Sequence, residues 1–184
     1  MRMINACSDI TRKDMYNGSR KLAKEQWNKI KKNIFTHDRV DMTMEDLDTY
    51  CKDNEVDVLV IDQLDKVNVS GRYNSSHEKL REIYRQGREL AKRHNCLVIG
   101  MSQASAEGHG KSTLTFNVME NSKTGKAAEA DLIIGIGKND VEEIDVDEGH
   151  RRTITISKNK LSGTHPVFLL HIIPALSQYK SVLE

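Results

Sequence analysis

Proline occurs only twice in the 184 residues, at Pro166 and Pro174, and no low-complexity tract or internal repeat interrupts the chain. Nothing therefore reads as a linker, and residues 1–184 are expected to form one domain around one core. Cysteine is also scarce. Cys7, Cys51 and Cys96 are odd in number, far apart and without a CxxC pair, which excludes a disulfide framework and a cysteine zinc site and fits a reducing cytoplasm. No apolar run exceeds a handful of residues, and the N-terminus lacks the basic-then-apolar layout of an export signal, so no membrane partner is expected. A surplus of one charge is missing too. With 28 Lys and Arg against 27 Asp and Glu the net charge is +1, so any nucleic-acid site has to be local.

What the chain does contain is an alternation of helix and strand signals. Leu22, Ala23, Trp27, Ile30 and Ile34 lie roughly on one side of a helix over 20–34, whose other faces carry Arg20, Lys21, Lys24, Lys29, Lys31 and Lys32, a basic surface read as solvated. Thr43 followed by Asp46 has the form of a capping box, with Leu47, Tyr50 and Cys51 as the apolar stripe of a short helix. Val58 to Ile61 is a continuous apolar run ending at Asp62, the pattern of a parallel strand covered on both faces. A helix marked by Leu80, Ile83, Tyr84, Leu90 and Ala91 leads to a second such run, Leu97 to Ile99, which implies a right-handed crossover. Leu132, Ile133, Ile134 and Ile136 form a third strand, followed by acidic residues from Asp140 to Glu148 that read as a solvated turn because they lack a calcium loop's spacing. Alternation over Thr153–Ser157, turn chemistry at Leu161–Thr164 and the run Val167 to Ile173 make a hairpin. The expected fold is α/β, with a mostly parallel sheet, helices on both faces and an antiparallel C-terminal hairpin.

In open α/β sheets ligands bind beyond the carboxyl ends of the strands, which draws attention to the polar residues after each apolar run. These are Asp62, Ser102-Gln103 and Lys158-Asn159-Lys160. A carboxylate to hold hydrated magnesium, a neutral amide to sense a terminal phosphate and cations to compensate charge are the set that nucleotide hydrolysis needs. Taken singly, Asp62 could equally terminate a strand, and the lysines could be plain surface charge.

The segments VLVIDQLDKV (58–67), ELAKRHNCLVIGMSQAS (89–105), KTGKAAEADLIIGIGKND (123–140) and TITISKNKLSGTHPVFLL (153–170) resemble, in order, the later ATPase motifs of the DnaB family of hexameric replicative helicases. Residues 1–30 resemble the stretch after that family's catalytic glutamate, so the likeness runs along nearly the whole chain. It implies a RecA-like P-loop NTPase core that uses ATP and Mg²⁺, with Asp62 as the Walker B carboxylate that holds magnesium through water and Gln103 as the γ-phosphate sensor. It makes Lys158 and Lys160 the basic pair that reaches a neighbouring subunit's nucleotide, although the family usually has arginine where Lys160 stands. Lysine lacks the planar fork that grips phosphate bidentately.

The resemblance also makes 66–79 and 104–124 DNA-facing loops. Their cations, with the next one beyond, are Lys66, Arg72, Lys79, Lys111, Lys123 and Lys126, interleaved with Gly, Ser and Asn; without the resemblance these would read as flexible surface loops. The implied partners are single-stranded DNA, identical subunits in a ring of six, and a primase and a helicase loader. No GxxxxGK[ST] is present. Gly108-His109-Gly110-Lys111-Ser112 has Ser105 where the first glycine belongs and follows the second strand, so it reads as a DNA-loop segment. The first strand, the phosphate-binding loop and the catalytic glutamate are expected ahead of Met1, and the chain alone is expected not to hydrolyse ATP. Two other readings stay open: a non-catalytic RecA-fold module that assembles or binds single strands, and a recombinase- or clock-type ATPase.

Overall fold

The computed structural model describes residues 2–118, 123–138 and 151–181, without the side chains of Lys123 and Thr124. The acidic stretch from Asp140 to Glu148 lies outside the described residues. In chain order the main elements are α1 (Arg2–Ser8), α2 (Arg12–Asp14), α3 (Arg20–Ile30), α4 (Met44–Asp53), β1 (Val58–Ile61), α5 (Ser76–His94), β2 (Leu97–Gly100), α6 (Lys123–Glu129), β3 (Leu132–Gly137), β4 (Arg151–Asn159), β5 (Val167–Ile173) and β6 (Gln178–Ser181).

Helix α4 starts where its capping box places it. The Thr43 hydroxyl accepts from the Asp46 amide at 3.0 Å, and the Asp46 carboxylate accepts from the Thr43 amide at 3.0 Å. Two amides that have no partner inside the helix are satisfied in this way. Helix α5 is capped by the Ser75 hydroxyl at one end and stops at Asn95, whose left-handed backbone (φ 51°) asparagine tolerates better than most residues.

β1 and β2 pair in parallel, Val58 with Leu97 through Ile61 with Gly100, and α5 is the crossover between them. Their side chains alternate. Leu59, Ile61 and Val98 face a core built from Met44, Leu47 and Cys51 of α4 and from Leu80, Ile83, Tyr84 and Leu90 of α5. Val58, Val60, Leu97 and Ile99 point the other way and are exposed. The runs are apolar on both faces, as read, but among the described residues the second face is bare.

The third expected strand does not extend this pair. β3 pairs antiparallel with β4, β4 with β5 and β5 with β6, making a separate four-stranded sheet. The expected hairpin is thus the middle of a meander, and β6 goes beyond it. Gln178 of β6 ties this sheet to the N-terminal helices, donating to the Ala6 carbonyl and the Asp9 carboxylate at 2.7 Å each. In α3 only Ala23 is buried, while Leu22 and Ile30 stay exposed, so the apolar stripe read there is only partly covered.

Ile83 is fully enclosed at the centre of the main core, and Ile83→Ala should cost about 2–5 kcal/mol through lost transfer energy and a residual cavity. Thr43→Ala should cost about 1 kcal/mol by orphaning the first-turn amide. Urea denaturation of the two variants checks both values and their order.

Candidate functional site

The turn after β1 decides where the candidate residues sit. Leu64 is buried between the strand ends and α5, and its amide donates to the Met101 carbonyl at 3.0 Å, locking this turn to the end of β2. Gly100 makes room for it, because a Cβ there would lie 2.4 Å from the Leu64 Cδ2. With Ile61 paired to Gly100, the residues just beyond, Asp62 on one strand and Ser102-Gln103 on the other, emerge at the same sheet edge. Asp62 is exposed and has no hydrogen-bond or ionic partner among the described residues. Such a carboxylate suits a hydrated magnesium ion, which keeps several of its waters and takes few protein ligands.

Gln103 is exposed and borders a cleft of about 270 Å³ with Gln63, Asp65, Lys66 and Lys79. The structure therefore gathers Gln103 with two cations expected to face DNA, Lys66 from the turn after β1 and Lys79 from the first part of α5. Arg72 is exposed on the intervening loop, where Tyr73 donates to the Ser70 carbonyl at 2.7 Å.

The second loop is a closed structure. The Ser105 amide donates to the Val118 carbonyl at 2.7 Å, tying its two ends together, and the Phe116 amide donates to the Ser157 hydroxyl of β4 at 3.0 Å. Gly135 and Gly137 let its backbone lie directly on β3. A Cβ at these positions would come within 2.0 Å of the Leu114 carbonyl oxygen and 1.9 Å of that of Ser112. Lys111 is exposed on this loop, and no helix begins at Ser112, so Gly108–Ser112 lacks the loop-to-helix form of a phosphate cradle. Lys123 opens α6, with its side chain outside the described residues.

Lys126 departs from expectation. The resemblance groups it with the DNA-facing cations, yet its side chain has 0% exposure and its Nζ lies 2.7 Å from the Asp65 carboxylate. In this packing it cannot meet a phosphate. The cause is tertiary: α6 lies against α5, which turns Lys126 inward toward Asp65, Ser102 and Tyr84. Sequence reasoning passed over those three residues, and only the position of Ser102 beside Gln103 hinted at one of them.

The β4 lysines lie near each other but apart from Asp62. Lys158 donates to the Ala127 carbonyl, so its cation sits at the C-terminal end of α6, where the helix dipole favours positive charge. Burial pushes its amine below the usual lysine value, and neighbouring Lys160 adds to that effect. Lys160 donates to Asp131 at 2.9 Å, and Arg88 of α5 stands 3.7 Å from the same carboxylate.

The family model for the DnaB-like helicase C-terminal domain matches residues 1–180. Among curated proteins, none matches the chain. Of solved structures, a helicase ATPase domain superposes with a TM-score of 0.82 at 15% identity, covering 99% of this chain and 69% of that one. "The Structure Of A DnaB-Like Replicative Helicase And Its Interactions With Primase" gives 0.78 at 17% identity, covering 99% of this chain and 47% of that one. At these identities the likeness establishes the fold, an α/β arrangement like that of helicase ATPase domains and consistent with a RecA-like core.

The Lys160 hydrogen bond holds the Asp131 carboxyl below its ordinary value of 3.8. A carboxyl depressed in the folded state stabilises the fold above its unfolded pKa and loses that contribution as pH falls through the folded value. Asp131→Asn should therefore flatten the loss of stability below pH 3.8. The difference should stay within about 1 kcal/mol because the pair is partly solvated. Urea titrations at about pH 6 and about pH 3 check the sign.

Proposed function

The chain belongs to the DnaB-like helicase C-terminal domain family, and we propose that it is the part of a replicative DNA helicase motor that senses nucleotide and grips single-stranded DNA. The observation that carries this reading is the meeting of Asp62 and Gln103 at one edge of the β1–β2 pair, with Lys66 and Lys79 bordering the cleft beside Gln103. Asp62 would hold magnesium through water, and Gln103 would read the terminal phosphate of ATP. Bound magnesium would neutralise charge on the phosphates.

Lys158 and Lys160 would reach the nucleotide of the next subunit in a ring of six. Within one chain both already have partners, Lys160 on Asp131 and Lys158 on the end of α6, so reaching outward means exchanging these contacts for phosphate. A finger residue acting across subunits can be worth roughly 10³–10⁵ in rate, and a lysine without the planar fork should deliver less. Lys66, Arg72, Lys79, Lys111 and Lys123 would contact DNA phosphates. With a net charge of +1, each subunit would hold a strand weakly and the ring would add the contacts together. Primase and a helicase loader complete the proposed partners.

A second reading, a non-catalytic module that assembles or binds single strands, is favoured by one observation. The sequence has no GxxxxGK[ST] to cradle phosphates.

ATP hydrolysis separates the two. The chain should be inert alone, and joined at its N-terminus to a phosphate-binding segment of the family it should show magnesium-dependent, DNA-stimulated turnover. Asp62→Ala should lower that turnover by about 10–100-fold, as for other groups that hold a metal through its outer shell. A folded joined protein that stays inert would favour the non-catalytic module.

A further inference from the structure

Among the described residues Lys126 is the one charged side chain with no exposure, and its ammonium is held by a carboxylate, a hydroxyl and an aromatic face. Its Nζ donates to Asp65 at 2.7 Å and to the Ser102 hydroxyl at 3.1 Å, and it stands 5.5 Å from the centroid of the Tyr84 ring. Ser102 donates in turn to Asp65 at 2.8 Å, and the Tyr84 hydroxyl donates to the other Asp65 oxygen at 2.7 Å. Burial pushes the Tyr84 phenol well above its usual value, so it remains a donor. The four residues come from four segments: the turn after β1, the end of β2, α5 and α6. Lys126 and Asp65 are 61 positions apart.

We propose that Lys126 is a positioning residue, clamping α6 and the loop before it to the strand ends that carry Asp62 and Gln103, so that loop and strand ends shift as one element. This rests on the proposed function, in which the loop meets DNA and the strand ends meet nucleotide. Asp65 lies three residues past Asp62, and Ser102 is the residue before Gln103. A displacement of α6 pulls the ammonium from a carboxylate and a hydroxyl that no water can replace at a fully buried cation. In a low-dielectric site such a separation is costly, so the displacement is passed on to the strand ends instead of being absorbed. The neighbouring cations Lys66, Lys79 and Lys111 are exposed or half-exposed and make no such connection.

The test uses the 184-residue chain, with amide hydrogen exchange and fluorescence anisotropy on labelled oligo-dT over a salt series. Lys126→Met, which keeps the length and removes the charge, should speed exchange about tenfold over 62–66 and 100–103 while leaving β4 and β5 unchanged. Asp65→Asn should do the same, and the double variant should add little, because both singles break one unit. Oligo-dT should slow exchange at 62–66 and 100–103 in the wild type and not in Lys126→Met. The salt slope of binding should be unaltered by Lys126→Met and reduced by about 0.7 by Lys111→Ala, the value for one phosphate contact on a single strand.

Uniformly faster exchange across all strands would reduce Lys126 to a general stabiliser and overturn the clamp, as would unchanged exchange at 62–66. A flattened salt slope in Lys126→Met would make it a phosphate contact, which overturns the clamp as well. If Lys126→Met does not fold, the double variant, which leaves no unpaired buried charge, supplies the exchange comparison with Asp65→Asn. Failure of the wild type to bind oligo-dT would count against the proposed function, and the exchange pattern would still decide the clamp.

Discussion

The turn from Asp62 to Lys66 is held by two unlike forces, and the placement of the candidate site depends on both. Leu64 plugs the apolar space between the strand ends and α5, and one residue later Asp65 enters a polar network with Lys126, Ser102 and Tyr84. The apolar contact is non-directional and sets how deeply the turn sits. The hydrogen bonds are directional and set its rotation, hence where Asp62 projects. Gly100 is part of the same constraint, since a side chain there would expel Leu64 and with it the turn. Removing one member of the polar set would leave a buried charge without its partner, whereas replacing the whole set by apolar groups could be neutral for stability. The network is therefore better explained by geometry than by stability.

Much of this fold was legible because its signals are local. Thr43 and Asp46 satisfy each other across one helical turn, and Val58–Ile61 and Val167–Ile173 are apolar runs that became strands with those bounds. Asp62 and Gln103 could be singled out because the residues that end parallel strands are visible in any sequence that shows the strands. What could not be read depends on distant partners. Lys126 lies in a short polar helix and looks like surface charge, and its burial is decided by a carboxylate 61 positions earlier. Gly135 and Gly137 look like weak points in a strand, and their use emerges only once the 112–114 backbone is seen resting on them. The pairing of β3 with β4 was equally hidden, because an apolar run does not say on which side or in which direction it will pair.

The balance of charge follows the same division between local and distant effects. The chain is nearly neutral, yet its cations are not equivalent: some are spent inside the fold and others are offered to solvent. Lys126 neutralises a carboxylate in the interior, Lys158 faces the carbonyl end of α6, and Lys160 and Arg88 share Asp131. Lys66, Arg72 and Lys111 are exposed on turns and loops around the strand ends. The count of Lys and Arg thus overstates what is available to a polyanion and understates its localisation, since the exposed members cluster where the strands end.

The apolar groups show the opposite imbalance. Val58, Val60, Leu97 and Ile99 form an exposed face on the two-stranded parallel sheet, although strands of this composition are normally covered on both sides. A contiguous apolar face beside open strand edges is a docking template for any chain of matching pattern. The described residues hold one face of this sheet firmly through α4 and α5 and leave the other bare, so the rigidity of the candidate site comes from one side only. Under that condition the polar clamp at Asp65 matters more than it would in a sheet covered on both faces. With one apolar layer absent, the directional contacts of the turn carry a larger share of keeping Asp62 and Gln103 in fixed relation.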